Sequence, residues 1–152
     1  MKTNSIIVRV YGIYINPSLG LLVSDEIIFG KKVTKFPGGG LEFGEGTTDC
    51  LKREMMEETG NEFEIISHFY TTDFFVPSAF HAEKQVLSIY YTIKPVSDLV
   101  LRITESPFEN LGDTNNIQSF RYIKIKEINS ESFTLAIDRH VASMLSQNYK
   151  QF

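Results

Sequence analysis

The chain has a single cysteine, Cys50, and that scarcity removes two classes at once. No internal disulfide can form, and a zinc site built from several cysteines is excluded. A lone thiol fits a reducing compartment. No apolar run approaches the roughly 18 residues needed to cross a bilayer. Arg9 interrupts the short run Ile6 to Val10 and no small-residue cleavage pattern follows, so no signal peptide is read. Basic residues are not in excess either: 15 Lys and Arg stand against 19 Asp and Glu, a formal net charge of −4. A nucleic-acid polymer or an anionic membrane needs clustered Lys and Arg, so neither is an expected partner. A small phosphorylated ligand held through a metal stays open. No repeat, low-complexity stretch or linker divides the 152 residues. The expectation is one cytoplasmic domain, 1–152, with a single core.

What is present reads as alternating strands and helices. Ile6 to Ile15 is β-branched and aromatic, and Asn16-Pro17-Ser18 is a turn. Leu21 to Ile28 reads as a strand, Gly30-Lys31-Lys32 as a turn, and Val33 to Phe36 as a short extended piece before Pro37. Gly38, Gly39 and Gly40 read as a flexible loop. A helix is predicted over Thr47 to Thr59, with Thr47 as N-cap, Asp49 in the first turn, Gly60 as the stop, and Leu51 and Met55 as its apolar stripe. Further strands are predicted at Phe63 to Tyr70, Gln85 to Ile93 (apolar at Leu87, Ile89, Tyr91 and Ile93) and Phe120 to Ile125. Residues 106–116 read as a loop, and Phe133 to Leu145 as a helix with Ile137, Val141, Met144 and Leu145 inward. That order implies an α/β fold, a mixed β-sheet sandwiched between helices.

The most informative segment is Arg53-Glu54-Met55-Met56-Glu57-Glu58. Positions 54, 57 and 58 are spaced i, i+3, i+4, so three carboxylates share one helix face. They fall in the last turns, where the helix already carries partial negative charge. A chain that tolerates both this and their mutual repulsion has reason to bind a cation there. Hard cations such as Mg²⁺ take oxygen ligands, typically a few carboxylates with waters and phosphates. The preceding glycines let backbone approach such an ion or a phosphate closely.

The spacing around these acids adds a second argument. Gly39, five residues, Glu45, seven residues, Arg53-Glu54, an apolar Met55, then Glu57-Glu58 and, after one more residue, Gly60 resembles the signature box of the Nudix hydrolases, and Phe36-Pro37-Gly38-Gly39 resembles its approach. The match spans 22 residues and seven fixed positions. One departure is Asn61, where the family usually has an aliphatic residue that packs. The resemblance implies the Nudix-like α/β/α sandwich and a Mg²⁺-dependent hydrolase, with Mn²⁺ as a substitute. Its reaction would cleave the pyrophosphate bond of a nucleoside diphosphate linked to another moiety, such as a nucleoside triphosphate or ADP-ribose. It places metal ligands on Glu54, Glu57, Glu58 and the Gly38 carbonyl. Arg53 and Glu45 become braces of the box, framed by Gly39 and Gly60, and Glu54 or Glu57 becomes an assisting base. Some members use an acid from a later loop, for which Glu105, Glu109 and Asp113 are candidates, Glu109 first. The alternative is a catalytically silent Nudix-fold sensor or adaptor, which commonly loses acids that this chain keeps.

Other residues carry weaker signals. Phe74, Phe75 and Phe80 lie in one segment with Asp73, Ser78 and His81, where a base can stack on a ring; core or dimer-contact aromatics are the other reading. His81 is a candidate for a substrate phosphate. Arg9, on a strand otherwise aliphatic, needs a carboxylate or a substrate phosphate. His68 and His140 are expected at the surface or in satisfied hydrogen bonds, and Cys50 as a packing residue. A homodimer is compatible with the sequence.

Overall fold

A computed structural model describes residues 2–112 and 117–149. Its strands are β1 Ser5–Ile13, β2 Ile15–Asn16, β3 Gly20–Ile28, β4 Lys31–Lys35, β5 Gly38–Gly40, β6 Phe63–Thr71, β7 Lys84–Pro95 and β8 Gln118–Ile123. Its α-helices are α1 Thr47–Thr59 and α2 Ala136–Tyr149. No helix among the described residues is long and apolar enough to cross a membrane. The chain groups into two compact units, Met1–Tyr14 with Pro37–Val100, and Ile15–Phe36 with Leu101–Phe152.

The first unit is a four-stranded sheet in the order β5-β1-β7-β6. β1 runs parallel to β7, and the other two pairings are antiparallel, so the sheet is mixed as expected. Val10, Cys50, Leu51, Met55, Phe63 and Ile93 form the buried core between α1 and the sheet. β7 lies between two neighbours and is screened on both faces. Its α1 side carries Tyr91 and Ile93, while Ser88 and Tyr90 are buried on the other. The predicted apolar row Leu87–Ile93 is therefore only half of what this strand buries.

Two local expectations are corrected in this unit. Gly38–Gly40 is not a loop but the edge strand β5, in register with β1 as Tyr11↔Gly38, Val10↔Gly39 and Arg9↔Gly40. Glycine is a poor strand former, but here its bare backbone is what permits close packing on both sides. Thr47 is the first helical residue rather than the cap. Gly46 takes the N-cap position with extended backbone, and its N–H donates to the Asp49 carboxylate at 3.3 Å. The Thr47 hydroxyl is instead 2.7 Å from that of Tyr91. Gly60 ends the helix as expected, in the left-handed region at φ 70°, its N–H bonded to the Met56 carbonyl. Asn61 replaces the family's packing residue with hydrogen bonds. Its side-chain amide donates to the Thr59 and Val100 carbonyls and accepts from the Val100 N–H.

The second unit is an antiparallel sheet in which β3 pairs with β2, β4 and β8. The β3–β4 hairpin turns at Phe29 and Gly30, both at positive φ, the backbone that matches strand twist. Lys31 and Lys32 therefore open β4 instead of forming the turn. β8 begins and ends two residues before the predicted strand, and Ile125–Glu127 is a single 3₁₀ turn. The last helix starts at Ala136 because Phe133, still extended, stacks its ring on Phe36 at 4.3 Å. Ile137, Val141 and Leu145 are buried as expected.

One buried ionic network was not anticipated. Asp25, fully buried on β3, accepts from Arg121 Nε at 2.6 Å and Nη2 at 3.2 Å. It also accepts from the Thr34 hydroxyl at 2.6 Å and the Phe108 N–H at 3.3 Å. Every lone-pair direction of a buried carboxylate needs such a partner. The acid that ends the run Leu-Leu-Val-Ser-Asp, inside a strand, was the available sequence signal.

Candidate active site

α1 presents Glu54, Glu57 and Glu58 on the face that its periodicity predicts. Glu54 leans onto the sheet. A Cβ at Gly39 would collide with its carboxylate, so this contact requires glycine there. Glu58 accepts a hydrogen bond from the Gly38 N–H at 3.3 Å. Gly38 sits at φ 142°, and a Cβ on it would strike the Val10 carbonyl. Glu57 points outward, its side chain 58% exposed.

Arg53 ties the segment together. Its Nε and Nη2 donate to the two oxygens of Glu45 at 3.0 and 2.8 Å, a fork-to-fork pair that a planar guanidinium makes well. Nη2 also donates to the Gly40 carbonyl at 3.1 Å. Nη1 lies 3.1 Å from Glu54 Oε1 and 3.2 Å from each oxygen of Glu57. Glu42, not singled out from sequence, sends its N–H to Glu45 at 2.8 Å.

The electrostatics follow from these contacts. The Arg53 hydrogen bond, then the Glu42 amide, pulls the Glu45 carboxyl from 4.5 down to about 2. The same bond to Glu45, followed by those to Glu57 and Glu54, pushes the Arg53 guanidinium up. Burial, reinforced by Glu45, pushes the Cys50 thiol up to about 12, and its Sγ lies 3.4 Å from the Gly40 carbonyl. A thiol kept protonated is a packing residue and not a nucleophile.

The Glu45 shift gives a pH prediction with a definite sign. A carboxyl depressed by folding stabilises the native state above its ordinary value, and that contribution disappears as pH falls from 4.5 through about 2. Glu45→Gln should therefore be less stable than the parent at neutral pH, with the difference shrinking across that acid window. Thermal melts followed by circular dichroism at stepped pH check this; a constant difference would exclude the Arg53–Glu45 pair as its source.

Among the described residues, no three acidic, histidine or cysteine side chains are gathered into a group that could hold a metal ion. The contacts explain the spread: Arg53 draws Glu54 and Glu57, while Glu58 turns to the Gly38 amide. The donor types still suit a hard cation, being carboxylates beside bare backbone.

The remaining candidates are distributed as follows. Arg9 is half-buried on β1. Its Nε donates to the Tyr11 hydroxyl at 2.7 Å and its guanidinium lies 5.6 Å from that ring's centre. Phe74 and Phe75 are 42% and 57% exposed, so neither is a core aromatic. His81 is exposed, with its N–H bonded to Ser78 Oγ at 3.0 Å. His68 and His140 are at the surface, as expected. Glu109 belongs to the second unit, and its Oε2 accepts from the amides of Glu105 and Ser106 at 3.2 and 3.4 Å. Asp113 lies outside the described residues.

A search of curated proteins finds no match. Solved structures share the fold at low identity. A MutT protein from Methanosarcina mazei Go1 superposes with a TM-score of 0.70 at 18% identity, covering 98% of this chain and 97% of that one. The E. coli ORF135 protein gives 0.65 at 15%, covering 97% and 90%. An ADP-ribose pyrophosphatase from Streptococcus suis 89-1591 gives 0.60 at 11%, covering 96% and 92%. The family model described as NUDIX domain matches residues 7–143, running through both units, and the chain therefore belongs to the NUDIX family of pyrophosphohydrolases.

Proposed function

We propose that the chain is a single Nudix-type domain that hydrolyses, with Mg²⁺, the pyrophosphate bond of a nucleoside diphosphate linked to a further moiety. The observation that carries this is the seating of Glu54 and Glu58 against the glycine strand, with Glu57 beside them on the same helix face. Glu54, Glu57, Glu58 and the Gly38 carbonyl would hold the metal, and Mn²⁺ fits the same oxygen set. When bound, Mg²⁺ supplies charge neutralisation on the diphosphate and a more acidic water. Glu54 or Glu57 accepts the proton of the attacking water at a carboxylate oxygen. Arg53 keeps Glu45 as its fixed partner and orients Glu57. Arg9 is proposed to bind a substrate phosphate, with His81 as a second polar contact, and Phe74 and Phe75 to stack on the base. Glu109 remains the proposed loop acid.

The test is a panel of nucleoside triphosphates, ADP-ribose and dinucleoside polyphosphates, with products identified by mass. Mg²⁺-dependent cleavage of a phosphorus anhydride is the expected result. A purified, folded chain that binds nucleotide yet releases no product from any of them would instead be a silent binder.

A further inference from the structure

The segment between β6 and β7 is pinned at both ends yet displays two phenylalanines. Thr72 donates its N–H to the Ser88 carbonyl at 2.9 Å, and its hydroxyl both accepts from the Ser88 N–H and donates to the Ser88 carbonyl. Further on, Val76 and Ser78 pair with Val86 and Lys84, and Pro77 bridges Gln85. Between these anchors stand Asp73, Phe74 and Phe75, all exposed. Ordered, solvent-facing aromatics beside a fixed polar group have the composition of a ligand contact.

Asp73 is the fixed polar group. The Tyr70 hydroxyl donates to its Oδ1 at 2.5 Å and lies 3.4 Å from its N–H. Tyr70 is itself held in a buried row with Tyr90 and Tyr11, ring centres 6.3 and 5.3 Å apart. Burial and the Asp73 bond both push the Tyr70 phenol up, which keeps its proton on the donor side. Oδ2 of Asp73 accepts no hydrogen bond among the described residues. A carboxylate oxygen only accepts, so it favours an N–H group and repels a carbonyl oxygen placed at the same point.

We propose that Asp73, positioned by Tyr70, accepts a hydrogen bond from an exocyclic amino group of the substrate's base, so that amino-bearing bases are preferred over their keto counterparts. This rests on the reading of the chain as a nucleotide hydrolase. Nothing in the pyrophosphate chemistry requires such a preference; the selectivity comes from one acceptor beside the proposed stacking pair.

The test compares bases in which that amino group is exchanged for a keto oxygen, with the neighbouring ring nitrogen gaining a proton: CMP against UMP, and AMP against IMP, by titration calorimetry. Monophosphates contain no anhydride, so binding is read apart from hydrolysis. The expected result is tighter binding of the amino member of each pair by about tenfold or more, the scale of a hydrogen bond to a charged group. Asp73→Asn, which offers both a donor and an acceptor, should bring both ratios to near unity. Tyr70→Phe should reduce the ratios while leaving pyrophosphate binding unchanged, which a loss of folding would not do. Equal binding within each pair, no binding of any member, or a preference that survives Asp73→Asn overturns the inference. If that happens while anhydride cleavage persists, the hydrolase reading stands alone. A preference without any cleavage sinks the hydrolase reading instead.

Discussion

Glu57→Gln is expected to lower Mg²⁺-dependent turnover by about a hundredfold or more, the usual scale for losing one preorganised electrostatic element. The side chain is well suited to the experiment because it is 58% exposed. Its ion pair with Arg53 at i, i+4 contributes only about 0.3–0.5 kcal/mol in such a setting. Melting should therefore be nearly unchanged, and the loss of rate cannot be assigned to unfolding. Glutamine retains the shape and one acceptor oxygen but removes the charge. Metal affinity, read by titrating Mg²⁺ calorimetrically, should fall with the rate. A variant with near-parental turnover would falsify the role given to this residue and leave Glu54 and Glu58 as the acids to test.

The second large effect concerns stability. Asp25→Ala strands Arg121 in a largely buried position and removes the acceptor of the Thr34 hydroxyl and the Phe108 amide. Leaving one member of a buried pair uncompensated costs about 3–5 kcal/mol. For a chain of this size that lowers the melting temperature by about 10 °C. Exchanging both, as Asp25→Leu with Arg121→Met, should recover much of the loss, because no charge is then left unpartnered. Thermal and denaturant melts decide it. A single variant within about 1 kcal/mol of the parent, the size of an ordinary substitution, would show that the pair is not held away from water as the geometry indicates.

The sequence made the acidic face, the α1 boundaries, the helix stop at Gly60, the Arg53–Glu45 brace and the packing role of Cys50 legible. All of these depend on spacing within a few turns of one helix or on a short fixed pattern, and local periodicity carries that information. The glycine strand was not legible, because three glycines have no side-chain pattern and their pairing is set by the strand beside them. The second buried face of β7 was missed because alternation identifies one face, whereas a strand whose sheet is covered on both faces hides two. The Asp25–Arg121 pair joins positions 96 residues apart, and no local rule connects them. The start of α2 shifted because the Phe133 ring is stacked on Phe36, a tertiary contact that overrides helical propensity.

Beneath the Glu54 carboxylate lies the bare main chain of Gly39. Apart from Arg53, whose Nη1 holds one of its oxygens at 3.1 Å, the acid therefore rests against backbone. That backbone is set by the pairing of β5 on β1, and a ladder of amide hydrogen bonds moves in whole-residue steps or not at all. An element with no side chains of its own thus gives this carboxylate a discrete address, one that changes abruptly or stays put.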